Sequence, residues 1–445
     1  MLALSLGIGS GPLQAAGFAL IENSASGMGN AFAGAAAIGE DASTVYFNPA
    51  AMTRLQDAQL SAALHFINPT ADFSNGGSSA AAALGGGPLS GPDSSGGRNA
   101  LVPNLYYVQP LGEGRVAGLG INVPFGLETQ YDDDWVGRYH AVTSAVQTIN
   151  INPSLAWPMG DNLALGLGVN LQYIDVTLTS AIDMGAICVA SLGSVPCANL
   201  GSAPQQNDGF AELAGNSWSW GYNLGLTYDF KTHGDTRSRL GLAYRSNVKQ
   251  NLSGRADFTV PGNLILLTSS GNFVDTDITA SVDLPDTASL SLVHEHSQQL
   301  TLLFDWTWTG WSRFKELRID YASAQPDSIT TEQWNDSNRF SLGANYRWSP
   351  VLTLRAGLAL DQSPIPDAQR RTARIPGNDR RWLALGLGYR LNKRLGLDLG
   401  YAHLFVDDTE IDNTFESSVP TLAHTLKGSY QAAVNIFSAQ LNWRL

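Results

Sequence analysis

The feature that most constrains this chain is a two-residue period of greasy and polar side chains, repeated along most of its length. In Ser217–Phe230, Trp218, Trp220, Tyr222, Leu224, Leu226 and Tyr228 share one side, while Ser219, Gly221, Asn223, Gly225, Thr227 and Asp229 share the other. The same rhythm runs through 162–178 and 352–361. Successive side chains of a strand point to opposite faces, so these segments read as strands with one apolar face. A soluble sandwich also alternates, with its apolar face turned inward. Here the polar face carries Gly, Ser, Thr and Asn rather than long charged side chains, and aromatics sit near strand ends. Both favour a barrel in lipid, greasy outside and polar inside.

The pattern predicts fourteen strands, near 57–67, 100–109, 115–126, 144–157, 162–178, 217–230, 238–250, 276–294, 298–309, 338–348, 352–361, 381–391, 395–405 and 433–445. Short connections such as Pro158–Asp161 and Asn392–Arg394 alternate with long ones such as 179–216 and 406–432. An even strand number with loop lengths sorted this way is the outer-membrane rule: long loops outside, short turns in the periplasm.

Composition agrees. Charged residues make up 15% of the 445, beside 11 Trp, 14 Tyr, 16 Phe and 46 Gly, against about 25% charged in a typical soluble domain. Mean hydropathy is only −0.07, because in such a barrel only alternate residues meet lipid. After the N-terminus no apolar run reaches the roughly 18 residues of a spanning helix. Closed β-structure is then the remaining way to satisfy a backbone in lipid. A net charge of −13 argues against a nucleic-acid partner.

Residues 1–15 read as the remnant of a secretory signal. Residues 16–56 do not alternate. They are rich in small residues, and Asn48-Pro49 reads as a helix N-cap followed by Pro at the first helical position. This predicts a small helical plug ahead of a barrel that spans 57–445. Cys188 and Cys197 lie in one loop and form either a disulfide or two free thiols. They make a poor zinc site. The run Asp132–Asp134 lacks the spacing of a calcium loop. No phosphate loop, nucleophile elbow or metal-ligand cluster appears, so no cofactor and no enzymatic activity is expected.

The stretch GFALIENSASGMGNAFAGAAAIGEDASTVYFNPAAMTRL, with Asn48, Pro49 and Ala50 as an NPA motif, resembles the N-terminal hatch of the FadL family. These are outer-membrane channels for long-chain fatty acids and related hydrophobic compounds. NVPFGLETQYDDDWVGRYHA, WTGWSRF, LDQSPIPDAQR, DRRWLALGLGY and the final strand match as well. The resemblance covers essentially the whole mature chain and implies a monomeric fourteen-stranded antiparallel outer-membrane β-barrel with a hatch in its lumen. Insertion by the barrel-assembly machinery and contact with outer-membrane lipid and lipopolysaccharide go with it. It implies capture of a ligand by extracellular loops, an interior site, hatch movement and lateral release at a kinked third strand, here Asn122, Pro124, Phe125 and Gly126. Pro removes a ladder donor and Gly weakens pairing; the bland alternative is that Pro124 ends the strand at the rim.

A fatty acid needs an apolar groove and a cation. Arg245 and Arg355 lie on the inward parity and are expected to meet its carboxylate, unless they pair with Asp229, Asp305 or Asp361 across the lumen. Leu192, Val195 and Leu264, Ile265, Leu266 and Leu267 are expected to form the capture groove; the second set reads equally as a self-packed loop core. Competing readings are uptake of aromatic or alkane hydrocarbons and an outer-membrane barrel enzyme such as a lipase, which needs a Ser/His pair at the lipid-facing rim.

Overall fold

The computed structural model describes residues 17–231 and 236–445. The signal-sequence reading of 1–15 lies outside them. Twenty strand segments make one antiparallel sheet. They compose fourteen barrel strands: β1 Gln59–Asn75, β2 Ala100–Gly112, β3 Arg115–Asn122 and Gly126–Gln130, β4 Thr143–Met159, β5 Leu163–Ile182, β6 Gly209–Lys231 and β7 Arg237–Arg245 and Val248–Thr259. The rest are β8 Thr276–Leu284 and Thr287–Glu295, β9 Leu300–Thr309 and Glu316–Tyr321, β10 Ser337–Arg347, β11 Leu352–Asp361, β12 Arg380–Arg390, β13 Leu395–Val406 and Thr409–Thr414, and β14 Thr425–Arg444. The short segment Ser328–Thr331 adds a hairpin to the outer piece of β9. β1 pairs with β14 from Gln59↔Arg444 to Asn75↔Gly428 and closes the barrel.

The side chains are turned inside out relative to a soluble protein. Leu64, Trp220, Leu358, Leu385 and Phe437 are exposed, while Ser61, His65, Asn223, Ser341 and Ser438 are buried. A continuous apolar outer face of this kind needs lipid against it. Five strands are interrupted, where the sequence reading drew each as one run or placed its outer piece in a loop. At the break in β8, Pro285 brings no N–H, and Asp286 is held by Arg313 Nε at 2.8 Å.

The lumen is filled by residues 17–56. Helical turns α1 Ala25–Met28, α2 Ala35–Ile38 and α3 Thr44–Phe47 are followed by a 3₁₀ helix, Pro49–Arg54. Their room comes from inward glycines. A Cβ on Gly118, Gly166, Gly225, Gly241, Gly343, Gly357, Gly386 or Gly400 would fall 2.9 Å or closer to an atom of this segment. Polar side chains of the wall then take up its backbone donors. Ala25 N donates to Gln440 Oε1 at 2.9 Å and Ala36 N to Ser291 Oγ at 3.0 Å.

Candidate functional site

Asn48 caps the 3₁₀ helix through Oδ1, which accepts from Ala50 N at 3.0 Å. Its Nδ2 donates to Ala36 O at 2.6 Å and to two wall carbonyls, Leu226 O at 3.1 Å and Leu242 O at 3.3 Å. One fully buried carboxamide thus ties the plug to itself and to β6 and β7. Pro49 and Ala50 are buried beside it.

Asn122, Pro124, Phe125 and Gly126 fall at the interruption of β3. The strand resumes at Gly126, so Pro124 sits within it and not at its end. β2 pairs with β3 only from Leu105 to Gly112. Beyond Asn122, the outer piece of β3 pairs with β4, and its described contact on the other side is the bridge Gly97↔Thr129. The wall between Ala100–Asn104 and the outer piece of β3 therefore has no ladder among the described residues. The bend is bonded from inside. Leu20 N donates to Pro124 O at 2.9 Å, and Gly126 N donates to Phe18 O at 3.0 Å. Phe125 N donates to Thr148 Oγ1 at 3.0 Å, and Asn150 Nδ2 donates to Asn122 Oδ1 at 3.1 Å.

The same N-terminal arm carries Phe18 into an aromatic cluster with Phe125, Trp311, Phe314 and Trp334. The Phe18 and Trp311 ring centroids are 4.8 Å apart, edge to face. Leu317, packed on this cluster, lines an outer pocket of 270 Å³. Phe125, within the cluster, lines an inner cavity of 130 Å³. The cluster thus touches the linings of both spaces.

The inner cavity has apolar walls from Leu20, Ile21, Phe47 and Leu224 and a charged belt. Three guanidinium groups (Arg245, Arg339 and Arg380) face three carboxylates (Glu22, Asp305 and Asp361). Arg245 lies 4.5 Å over the Tyr46 ring, donates to Tyr46 O at 2.8 Å and also bonds Asn170 Oδ1. Arg339 donates through Nη2 to Ala31 O at 2.7 Å. Its Nε and Nη1, and Asn223 Nδ2, are buried with no partner among the described residues. A buried donor left unpaired costs about 1–3 kcal/mol.

Arg355 departs from expectation. It lines no part of this cavity. It bonds Asp398 at 2.7 Å and Glu40 of the plug at 3.1 Å. Its partners are Asp398 of β13 and Glu40, which lies in the plug where strand parity does not reach, and not the three aspartates weighed from the sequence. The expected capture groove also needs correction. Leu264 is fully buried with Met184, Ile187, Cys188 and Cys197, and Leu267 packs on that group. Leu192, Val195, Ile265 and Leu266 are exposed, and the lining of the outer pocket includes none of the six. The reason is the Cys188–Cys197 disulfide, which joins helices α4 Met184–Leu192 and α5 Ser194–Asn199 into a small core that draws Leu264 in.

The outer pocket is lined instead by Leu178, Ile182, Phe258, Phe273 and Tyr321, with Arg374 and Glu332 among them. Arg374 donates to Thr143 O at 3.1 Å and Ser144 Oγ at 3.0 Å, and burial lowers it to about 10. Burial raises Glu332 to about 8, against the donor Trp334 Nε1 at 2.8 Å. Sequence reasoning passed over Arg374 and Glu332, as well as Arg380 and Glu22. The basic run RRTAR was the one visible trace of Arg374.

Residues 7–445 match the family model described as outer membrane protein transport protein (OMPP1/FadL/TodX). Outer membrane protein P1 of Haemophilus influenzae is 32% identical over 465 residues, covering 100% of this chain and 98% of that one. The long-chain fatty acid transport protein of Salmonella typhi is 30% identical over 417 residues, 92% of each. The crystal structure of a Pseudomonas aeruginosa FadL homologue superposes with a TM-score of 0.86 at 24% identity, covering 96% of this chain and 100% of that one, and shares the fold. The chain is an outer-membrane β-barrel and belongs to the OMPP1/FadL/TodX family of transport proteins.

Proposed function

We propose that this barrel takes up long-chain fatty acids passively, without catalysis. The ligand enters the outer pocket, passes the Phe18 cluster into the inner cavity, and leaves sideways through the ladder gap between β2 and β3 as residues 17–56 shift. The observation that carries this reading is Arg339: a buried cation with two unpartnered nitrogens beside apolar walls. A carboxylate with an alkyl tail meets both halves of that lining. The Salmonella relative named for long-chain fatty acid transport supports the same substrate class.

A second reading rests on size. The inner cavity of 130 Å³ is close to an engineered cavity of about 150 Å³ that holds benzene. Small aromatic hydrocarbons therefore fit it without movement of the plug. The lipase reading finds less support. Ser438 and His65 lie 2.6 Å apart, but both are buried inside the barrel, away from the lipid-facing rim.

The test is uptake of labelled oleate and of toluene in a channel-deficient strain expressing the wild type, Arg339→Gln or Asn48→Ala. A charge-assisted hydrogen bond is worth about 1.5–3 kcal/mol. Arg339→Gln should therefore lower oleate uptake about tenfold or more and leave toluene unchanged. Toluene uptake without oleate uptake overturns the fatty-acid reading. Uptake of neither overturns transport of both classes. Oleate uptake indifferent to Asn48→Ala overturns the plug as the gate.

A further inference from the structure

The periplasmic mouth holds a basin of 730 Å³ built from β10 to β14 and their short turns. Arg347, Arg390 and Arg444 end β10, β12 and β14 on the inward parity of those strands. Lys393 and Arg394 sit in the turn between β12 and β13. All five are exposed. Among the described residues, none of them has a carboxylate oxygen within 4.0 Å. In a chain of net charge −13, five unpaired cations around one concavity make a local field that attracts anions. The carboxylates that line it do not cancel that field at the rim. Glu40, Asp41 and Asp398 are three against six, because Arg355 lines the basin with the five cations of the rim.

Two further atoms point to a ligand. Arg355 Nε and Gln59 Oε1 belong to side chains more than nine-tenths buried, both line the basin, and neither has a partner among the described residues. The basin also extends past the lumen. Trp348 and Tyr389, neighbours of Arg347 and Arg390 on the lipid-facing parity, line it with Pro350 and Val351 of the β10–β11 turn. Trp and Tyr at strand ends mark the headgroup level of the bilayer. The basin therefore joins a cluster of cations to the inner leaflet.

We propose that this rim binds the phosphate-bearing headgroup of an anionic phospholipid, of the phosphatidylglycerol kind, from the inner leaflet. Arg347, Arg390 and Arg394 take the phosphate oxygens, and Gln59 Oε1 accepts from a headgroup hydroxyl. The acyl chains run along the outer wall past Val351 and Tyr389. Cationic groups at a membrane surface recognise anionic lipid in this way.

The experiment is native mass spectrometry of the full chain in nonionic detergent with dioctanoyl-phosphatidylglycerol or dioctanoyl-phosphatidylcholine. Phosphatidylglycerol should bind about tenfold better than phosphatidylcholine. The variant Arg347→Gln/Arg390→Gln/Arg394→Gln should lose that preference while keeping the heat-modifiable migration of a folded barrel. The milder Lys393→Gln/Arg394→Gln variant, confined to an exposed turn, should lose part of it. Arg115→Gln, at another turn where Arg115 pairs with Glu113, should keep it. Equal binding of the two lipids overturns the site, as does a preference that survives the triple substitution. Displacement of phosphatidylglycerol by millimolar inorganic phosphate assigns the basin to the free anion and overturns the lipid as its occupant.

Discussion

The carboxamide of Asn48 lies directly over Gly225, so close that a methyl group on that glycine would overlap Asn48 Oδ1. The plug therefore docks at this point through the Asn48 carboxamide laid on the bare backbone of β6, with no β6 side chain between them. Gly225→Val should push residues 48–50 off the wall and break the bonds from Asn48 Nδ2 to Leu226 O and Leu242 O. Each buried polar group left unpaired costs about 1–3 kcal/mol. The N-terminal segment should then be cut faster by protease, and cells should become sensitive to bulky antibiotics that the plug excludes. Asn48→Ala should act in the same direction with smaller effect. Protection equal to wild type in Gly225→Val would show that the segment is held elsewhere.

Arg355 joins Glu40 of the plug to Asp398 of β13 within the lumen. Removing one partner of a buried pair leaves uncompensated charge and costs about 3–5 kcal/mol. Arg355→Met should lower the unfolding free energy of the barrel in detergent by that order, read as a lower urea midpoint. It should change oleate affinity by less than about twofold, because Arg355 does not line the inner cavity. A tenfold loss of oleate affinity with an unchanged midpoint would return Arg355 to the ligand site.

What could be read from the sequence follows from which surfaces lipid touches. The fourteen strands were legible because every second residue had to be apolar. Their outer ends were not: β1 runs on to Asn75 and β6 starts at Gly209, in stretches that stand in water and need no greasy face. Asn48 was legible because capping is local grammar. Arg245 was legible from strand parity alone. Arg374 was not, since its partners Thr143 and Ser144 lie more than 200 positions away. Leu264–Leu267 read equally as a groove or as a loop core, because an apolar run looks alike in both, and Leu264 lies in the loop core.

The outer pocket should respond to pH through Glu332. Burial raises its carboxyl from an ordinary 4.5 to about 8. A raised acid is stable while protonated, so its contribution is full below about 4.5 and is lost as pH rises through about 8. Protection of the amides over 328–336, taken relative to their intrinsic base-catalysed exchange rates, should therefore fall between pH 5 and about 9 in the wild type. Glu332→Gln, which keeps the acceptor for Trp334 Nε1, should flatten that dependence. A Gln variant that retains the full pH dependence would place its origin in another group.

Phe18 combines two functions on one short arm. Its carbonyl accepts from Gly126 N at 3.0 Å and holds the bend of β3, while its ring packs 4.8 Å from Trp311 in the cluster that touches the linings of both outer pocket and inner cavity. Phe18→Ala should leave the backbone bond available but hollow out the cluster, at a local cost of about 3–5 kcal/mol where the surroundings do not collapse. The outer pocket and inner cavity should then merge, and toluene should enter severalfold faster. Amide exchange at Gly126 should rise with it, because the arm loses the packing that holds Phe18 O in place. Phe18→Leu should restore most of both properties. Faster toluene entry with Gly126 exchange unchanged would mean that the ring blocks the path but does not secure the bend. Unchanged entry in Phe18→Ala would mean that the hydrophobic path does not run through this cluster.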